Sequence, residues 1–466
     1  MISRLTFGAT PELQAAVEAQ GVAAWIEDQL SKTGPDPSVD GRFEDFVGFG
    51  GGTHRDMWIR YSEQGHRHEQ AETTLSQVLR ARHSDHQLYE MMCQLWNDHF
   101  SVYWIGSDRM EHLSFSFQEW VIRPHAMTNF RDLLKATAAS PAMLAYLDND
   151  RSEGNKSINE NYGRELLELH TLGIKPDDTQ VYNEADVLAA SQVMSGWWLD
   201  RNFGNEDFLR VHFRDDLAYE GPISLLNGAW TRGNIAPADG ADSMLDFLAM
   251  HPSTAEHVAY KICRRFVADQ PPASLVQSAA QVYLANDTAI VPVLRHVFTS
   301  AEFAASEGQK FRRPFEVLVA MFRALHIDAP PSPFHPAKGW VMHDFLFASG
   351  NQPGTWETPD GFPDNTVFWL TTLGLLNRWN AAARLARNRQ RGSTPDYGRL
   401  RPAAADVGEL IEKLAVQFGI GALTGEDVRN IAQGAGVAIG DSAEVDDATL
   451  GDIATYLLIH PLFSIR

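Results

Sequence analysis

The sequence predicts an all-α fold, a large multi-helix body with a long Pro/Gly/Trp-rich loop and at most a small β-hairpin. Three observations lead there. Helical periodicity covers residues 4–31, 56–107, 114–147, 159–173, 183–197, 241–327, 367–390 and 404–466. A helix stop recurs in which Ser or His precedes Pro or Ala: Ser140-Pro141, His251-Pro252, Ser300-Ala301 and His460-Pro461. Residues 200–240, mixed and Gly-rich, show no long periodic run, which leaves room for a hairpin near residues 208–213.

In order, Thr10-Pro11 offers an N-cap followed by Pro at the first helical position, and residues 22–30 are amphipathic around Trp25. Residues 33–53, with Pro35, Pro37 and Gly48, Gly50, Gly51 and Gly52, read as a loop. Residues 56–107 are helical and aromatic. One or two helices over 114–147 join through Arg123-Pro124-His125, and a polar linker at 148–157 leads into the 159–173 helix, which Gly173 ends. The next helix closes at Gly196-Trp197-Trp198, and residues 241–327 predict three helices. Residues 330–366 are too long for a plain connector and read as a functional loop. The repeated stops have irregular spacing, so no solenoid is expected. The chain divides into N-terminal helices and loop (1–55), a central helical body (56–198), a linker and helical lobe (199–330), and the Trp-rich loop with C-terminal helices (331–466).

The formal charge of −21 over 466 residues argues against nucleic acid, whose binding needs a basic face, and against anionic membrane surfaces. No apolar run is long enough for a membrane span. The start shows no signal-peptide pattern, so the chain as it stands reads as cytoplasmic, or as envelope-bound or exported if a leader was removed. Cys93 and Cys263 lie outside any CxxC pattern and read as buried thiols.

Polar chemistry gathers first in the 159–173 helix. Asn161, Glu165 and Glu168 share one face beside a Leu166, Leu169 and Leu172 stripe. Arg164 precedes Glu168 by four residues, a pair worth about 0.3–0.5 kcal/mol if exposed. On a straight helix His170 points away from Glu165. Upstream, His99 rides an apolar stripe with Leu88, Met92 and Leu95, where a core histidine is commoner than a ligand, but Asn97 and Asp98 accompany it and suggest a buried polar network. Trp96 is a candidate substrate contact beside it. His99, His125 and His170 with Glu165, and Glu168 or Asp186 in reserve, are the residue types that take a divalent transition metal such as zinc, iron or manganese. Neither HExxH nor two Glu-x-x-His pairs is present. A metal-free alternative needs two carboxylates in unlike surroundings, such as Glu165 with Asp360 or Asp186.

The third group lies on the loop, where Pro359-Asp360-Gly361 is a strong turn signal. Asp360, Asp364 and Trp356 either line a sugar-binding cleft or form a rigid loop whose Trp356 and Phe362 plug the core. Lys310-Phe311-Arg312-Arg313-Pro314 places cations at a helix start that the macrodipole disfavours, so they should meet carboxylates or a bound anion. No Walker loop, GxGxxG after a strand, GxSxG or kinase motif occurs.

Several long stretches resemble the bacterial domain of unknown function 1800 family: Leu5-Thr6-Phe7-Gly8-Ala9-Thr10, Trp96-Asn97-Asp98-His99-Phe100, Asn129-Phe130-Arg131-Asp132-Leu133-Leu134, Tyr146-Leu147-Asp148-Asn149, residues 159–173, Ser195-Gly196-Trp197, His251-Pro252 and Pro359-Asp360-Gly361-Phe362-Pro363-Asp364. The last has Phe362 where the family form has Tyr. The resemblance spans nearly the whole chain and implies a bacterial protein. Its members often look exported and neighbour a sulfatase-like family, which implies envelope or polysaccharide work.

The expected function is a hydrolase on a small polar, carbohydrate-derived substrate, metal-assisted or not. In it Glu165 is base or ligand, Arg164 stabilises charge, Asp360 and Asp364 are the loop carboxylates, and Asn161, Trp356 and Trp96 touch substrate. The alternatives are a metal-dependent oxidoreductase in a helical bundle, a non-catalytic glycan- or envelope-binding protein, and a purely structural polar cluster.

Overall fold

Two helices that are buried almost throughout, Gln87–His99 and Pro314–Ala324, set the architecture. The first packs on Val22–Ser31, on Glu69–His83 and on the segment Phe117–Ile122; the second packs on Glu69–His83 and on Thr372–Ala386. The computed structural model describes residues 2–63, 69–105, 108–174, 181–328, 340–390 and 392–466. Over these the fold is helical, with two small two-stranded antiparallel sheets. One cluster of buried apolar side chains runs from Leu5 to Phe463, with Trp96, Phe100 and Phe130 in mutual ring contact within it. No described helix is long and apolar enough to cross a membrane. Cys93 and Cys263 are free, buried thiols.

The recurring Ser/His–Pro stop is a capping device. Ser140 and Ser300 accept from the backbone N–H three residues on, at 3.2 and 3.1 Å. His251 and His460 do the same through Nδ1 for the N–H two residues on, at 3.1 and 3.3 Å. Each satisfies one of the orphan donors of the following helix.

Three expectations need correction. The 183–197 stretch stops as a helix at Val193, because Gly196 takes φ 95° and Trp197–Leu199 turns into a strand paired with Val211–Phe213. Residues 241–327 form six helices rather than three, since caps and prolines at His251-Pro252, Pro272 and Ser300 punctuate the apolar periodicity. The loop predicted over 330–366 contains a helix, Trp340–Ala348; its Pro-rich part at residues 329–339 lies outside the described residues.

Phe117–Ile122 is a π-helical segment, and two further irregularities bear on the site. The 159–173 helix is α-helical over Glu160–Glu165 and then a π-helix over Leu166–His170. A π turn is rare and re-aims the side chains beyond it. Gly163 lets this helix close on its neighbour, for a Cβ there would meet Ser191 Oγ at 2.0 Å. The 350–365 loop is seated on the end of the Gln87–His99 helix by Gly361, at φ 74°, where a Cβ would meet the Asp98 carbonyl oxygen at 1.9 Å. Gly361→Ala combines a disfavoured backbone with a backbone clash and should cost about 2–4 kcal/mol. Urea unfolding of the variant against wild type measures it, and a change below about 0.5 kcal/mol would contradict this seating.

Candidate active site

A buried ion network forms the floor. Lys310 Nζ lies 2.8 Å from Asp269 Oδ1 and 2.9 Å from Asp364 Oδ1. Arg265 Nη1 is 2.5 Å from Glu316 Oε1 and 3.9 Å from Asp364 Oδ2. Arg313 donates through Nε to Glu316 Oε1 at 3.1 Å and through Nη1 to Asp98 Oδ2. Arg466 Nε approaches Glu316 Oε2 at 3.5 Å. Burial alone would raise the Glu316 carboxyl, but Arg265, Arg466 and Arg313 hold it down to about 2. Burial likewise opposes ionisation of Asp364, and Lys310, Arg265 and Arg313 outweigh it and keep it well below the usual carboxylate range. Lys310 and Arg313 therefore meet carboxylates, one of the two outcomes their placement predicted, whereas Arg312 donates to the Phe463 carbonyl oxygen. The structure places Asp364 within this network, paired with Lys310 and near Arg265.

Above this floor lies a cavity of about 280 Å³ between the Pro252–Phe266 helix, the end of the Gln87–His99 helix and the 360–365 loop. Lys261, Arg264 and Arg265, at helical spacing, supply one wall; Asp98, His99 and Asp360 supply others. Arg265 is spent on the network. Among the described residues, Lys261 and Arg264 meet no carboxylate within ion-pair distance, and the Arg264 guanidinium rests 5.7 Å from the Tyr260 ring centroid. Burial pushes the half-buried Lys261 ammonium down to about 8, with Asp98 and Asp360 opposing.

At the mouth, Asp360 Oδ1 accepts from Trp356 Nε1 at 2.9 Å and from Thr358 Oγ1 at 2.5 Å. Half-buried Glu165 lies close enough for the Asp360 charge to act on it. Its carboxyl, which has no hydrogen-bond or ion-pair partner among the described residues, is raised to about 7 by burial first, then by Glu168 and Asp360. Glu165 lies outside the cavity wall, and Asp360 is the residue common to both. Tyr146, which shares this neighbourhood, ties it to the loop by donating to the Glu357 carbonyl oxygen at 2.8 Å.

Three imidazoles stand behind the cavity. The His99 ring is 5.8 Å from that of His257 and 6.3 Å from that of His170. His99 Nε2 is 3.1 Å from the His170 carbonyl oxygen. Burial lowers His99 well below the ordinary value and His170 to about 3, so both are neutral. The expected metal set does not assemble. His125 directs Nδ1 to the Val121 carbonyl oxygen at 2.8 Å within its own turn, and among the described residues no three His, Cys, Asp or Glu side chains are placed to hold a metal ion.

The other expected contacts divide. Trp96 is fully buried and donates to the Ala126 carbonyl oxygen at 2.8 Å, so it packs the core instead of touching substrate. Trp356 packs on Phe362, with ring centroids 5.3 Å apart, and orients Asp360 rather than presenting a sugar platform. Asn161 is exposed at the helix start and outside the cavity wall. Arg164 pairs with Glu184 at 2.8 and 3.0 Å and stands 3.7 Å from Glu168, away from the wall, so it does not stabilise charge in the cavity. Sequence reasoning missed Lys261 and Arg264. Their signal was present in Tyr260-Lys261-Ile262-Cys263-Arg264-Arg265, where three cations cluster in the last turns of the helix.

An amine lowered to about 8 and free of a carboxylate is more nucleophilic at neutral pH than ion-paired lysines. Limited acetylation at pH 7, read by peptide mass spectrometry, should therefore modify Lys261 ahead of Lys32, Lys135, Lys310 and Lys413. Equal or slower labelling of Lys261 would refute the assignment. Glu316→Gln should leave three guanidiniums without their common acid and destabilise the fold by about 3–5 kcal/mol, measured by urea unfolding.

No curated protein and no solved structure matches the chain. The model of the family described as "Protein of unknown function (DUF1800)" matches residues 1–465. The long shared stretches, the helical body and this full-length match agree, and the chain belongs to the DUF1800 family.

Proposed function

We propose that the protein is a hydrolase acting by general acid–base catalysis on a small polar, carbohydrate-derived substrate that carries an anionic group. The observation that supports this most is the Glu165 carboxyl, without a hydrogen-bond or ion-pair partner among the described residues and within reach of the charge of Asp360, which lines a cavity that also holds Lys261 and Arg264. A carboxyl poised near neutrality gives and takes protons with little driving-force penalty. Glu165 protonates the leaving oxygen. Asp360, fixed by Trp356 and Thr358, draws the proton from the attacking water. Lys261 and Arg264 hold the anionic group and so position the substrate for the two carboxyl groups. Two carboxyl groups kept in unlike surroundings are the usual arrangement for such work.

A structural reading has support of its own for part of the cluster. Asp364, Glu316, Arg313, Arg265 and Lys310 are linked by ion pairs that tie three chain segments together, and Asp98 adds a fourth through Arg313. It does not extend to Glu165, whose carboxyl pairs with no group among the described residues. The oxidoreductase reading finds less support, because among the described residues the His and acid donors are not grouped as a metal site.

Glu165→Gln separates these readings. The folded-state carboxyl titrates above its ordinary 4.5, so the folded protein binds more protons between about 4.5 and 7 and loses stability as pH rises through that window. The variant removes this penalty. It should be more stable than wild type at pH 8 by about 1–2 kcal/mol after solvent screening, and equal to it near pH 4. On a panel of nitrophenyl glycosides, glucuronides and sugar esters, wild type should turn over at least one member and Glu165→Gln should lose about 100-fold or more of that rate. A panel left uncleaved by wild type, or a variant of full rate, would overturn the proposal. A variant destabilised at every pH would favour the structural reading.

A further inference from the structure

A second cavity, of about 470 Å³, opens where the N-terminal helices meet the end of the Glu69–His83 helix and the end of the Pro314–Ala324 helix. It shares no lining residue with the first. Its charged lining includes Arg82, Arg323, Arg399, Lys32, Glu12 and Asp28. Two of the cations are matched: Arg399 binds Glu12, and Lys32 Nζ is 2.8 Å from Asp28 Oδ2.

The other two are not. Arg323, only 5% exposed, donates through Nε to the Gly8 carbonyl oxygen at 2.8 Å and through Nη1 to the Arg82 carbonyl oxygen at 2.9 Å. Arg82 donates through Nε to the Ile327 carbonyl oxygen at 3.0 Å. Carbonyl oxygens orient a guanidinium without neutralising it. Among the described residues neither arginine meets a carboxylate within ion-pair distance. The charge of Asp85, an exposed residue at the rim, reaches Arg323 only from beyond that distance. His83 and His326, also in the wall, are lowered by burial and by neighbouring arginines to about 3 and 4, so they add no positive charge. Arg323 is buried and Arg82 partly so, and Asp328 and Glu12 act on Arg82 only from beyond ion-pair distance. Two adjacent guanidiniums with no carboxylate in contact are costly, and they occur in a chain whose net charge is −21.

We propose that this cavity binds an oxyanion of the phosphate class, as inorganic phosphate or as the phosphoryl group of a small metabolite, gripped by Arg82 and Arg323. Among the described residues nothing accepts from either Nη of Arg82 or from Nη2 of Arg323, which leaves three nitrogens for a ligand. Donors arriving from two guanidiniums suit a dianion with three or more acceptor oxygens better than a single carboxylate, which one fork satisfies.

Calorimetric titration of the purified full-length chain with inorganic phosphate, in a phosphate-free buffer, tests this. Wild type should show saturable one-to-one binding that weakens with salt, and Arg82→Gln should bind at least about tenfold more weakly. Arg82→Lys keeps the charge and removes the fork, so it should also weaken binding if Arg82→Gln does not fold. Lys261→Met, in the first cavity, should leave phosphate binding unchanged. Competition with glycerol phosphate tells the sources apart: tighter binding of the ester points to a metabolite, weaker binding to free phosphate. Absence of saturable binding up to about 10 mM phosphate would overturn the proposal. So would binding untouched by either Arg82 variant, binding lost in Lys261→Met, or a clear preference for citrate over phosphate.

Discussion

Everything near the candidate site depends on one electrostatic constraint: Glu316 is a buried acid surrounded by Arg265, Arg313 and Arg466. Moving an ion out of water costs several kcal/mol, and only close, well-shaped pairing offsets it. Glu316 sits in the first turn of Pro314–Ala324, where it also accepts from the Arg313 backbone N–H at 3.2 Å. Through Arg313 the constraint reaches Asp98 on the Gln87–His99 helix; through Arg265 it reaches Pro252–Phe266 and Asp364 on the loop. Four segments are thereby held in one register, and the space left between them is the cavity.

The network also explains which charges remain for chemistry. On one helix face, Arg265 turns inward to Glu316, while Lys261 and Arg264 line open space. On the loop, Asp364 is neutralised by Lys310, while Asp360 stands at the mouth with only neutral donors on its Oδ1. Neighbours of identical type thus divide between holding the fold and facing the cavity. The same distinction marks Arg82 and Arg323 against Arg399 and Lys32 in the second cavity.

Much of the fold was legible because its rules are local. Caps at Thr10 and Ser140, the helix end at Gly173 and the prolines at helix starts all act within a few residues. The site was legible only in part, for a different reason. Glu165 and Asp360 stood out by composition and turn chemistry, and the cations of residues 310–313 by their clash with the helix dipole. Trp96 and His125 carry the same chemical promise in sequence, but packing turned one into the core and the other onto its own backbone. The π turn at 166–170 is likewise invisible to a reading that assumes an even helical twist. Lys261 was overlooked because a basic helix face normally means a wet surface; only the folded chain shows that a loop from about 100 residues later covers it.

The bridge from Arg313 to Asp98 spans 215 positions of chain. Its partners at 265, 316 and 364 are scattered almost as widely, so no local fragment can assemble the chamber by itself. The loop-closure entropy of bringing such distant segments together must be met before any of their attraction is gained. The charged floor is therefore a late product of folding. Until it closes, its acids and bases stay hydrated, so a partly folded chain would carry the helices without a working chamber.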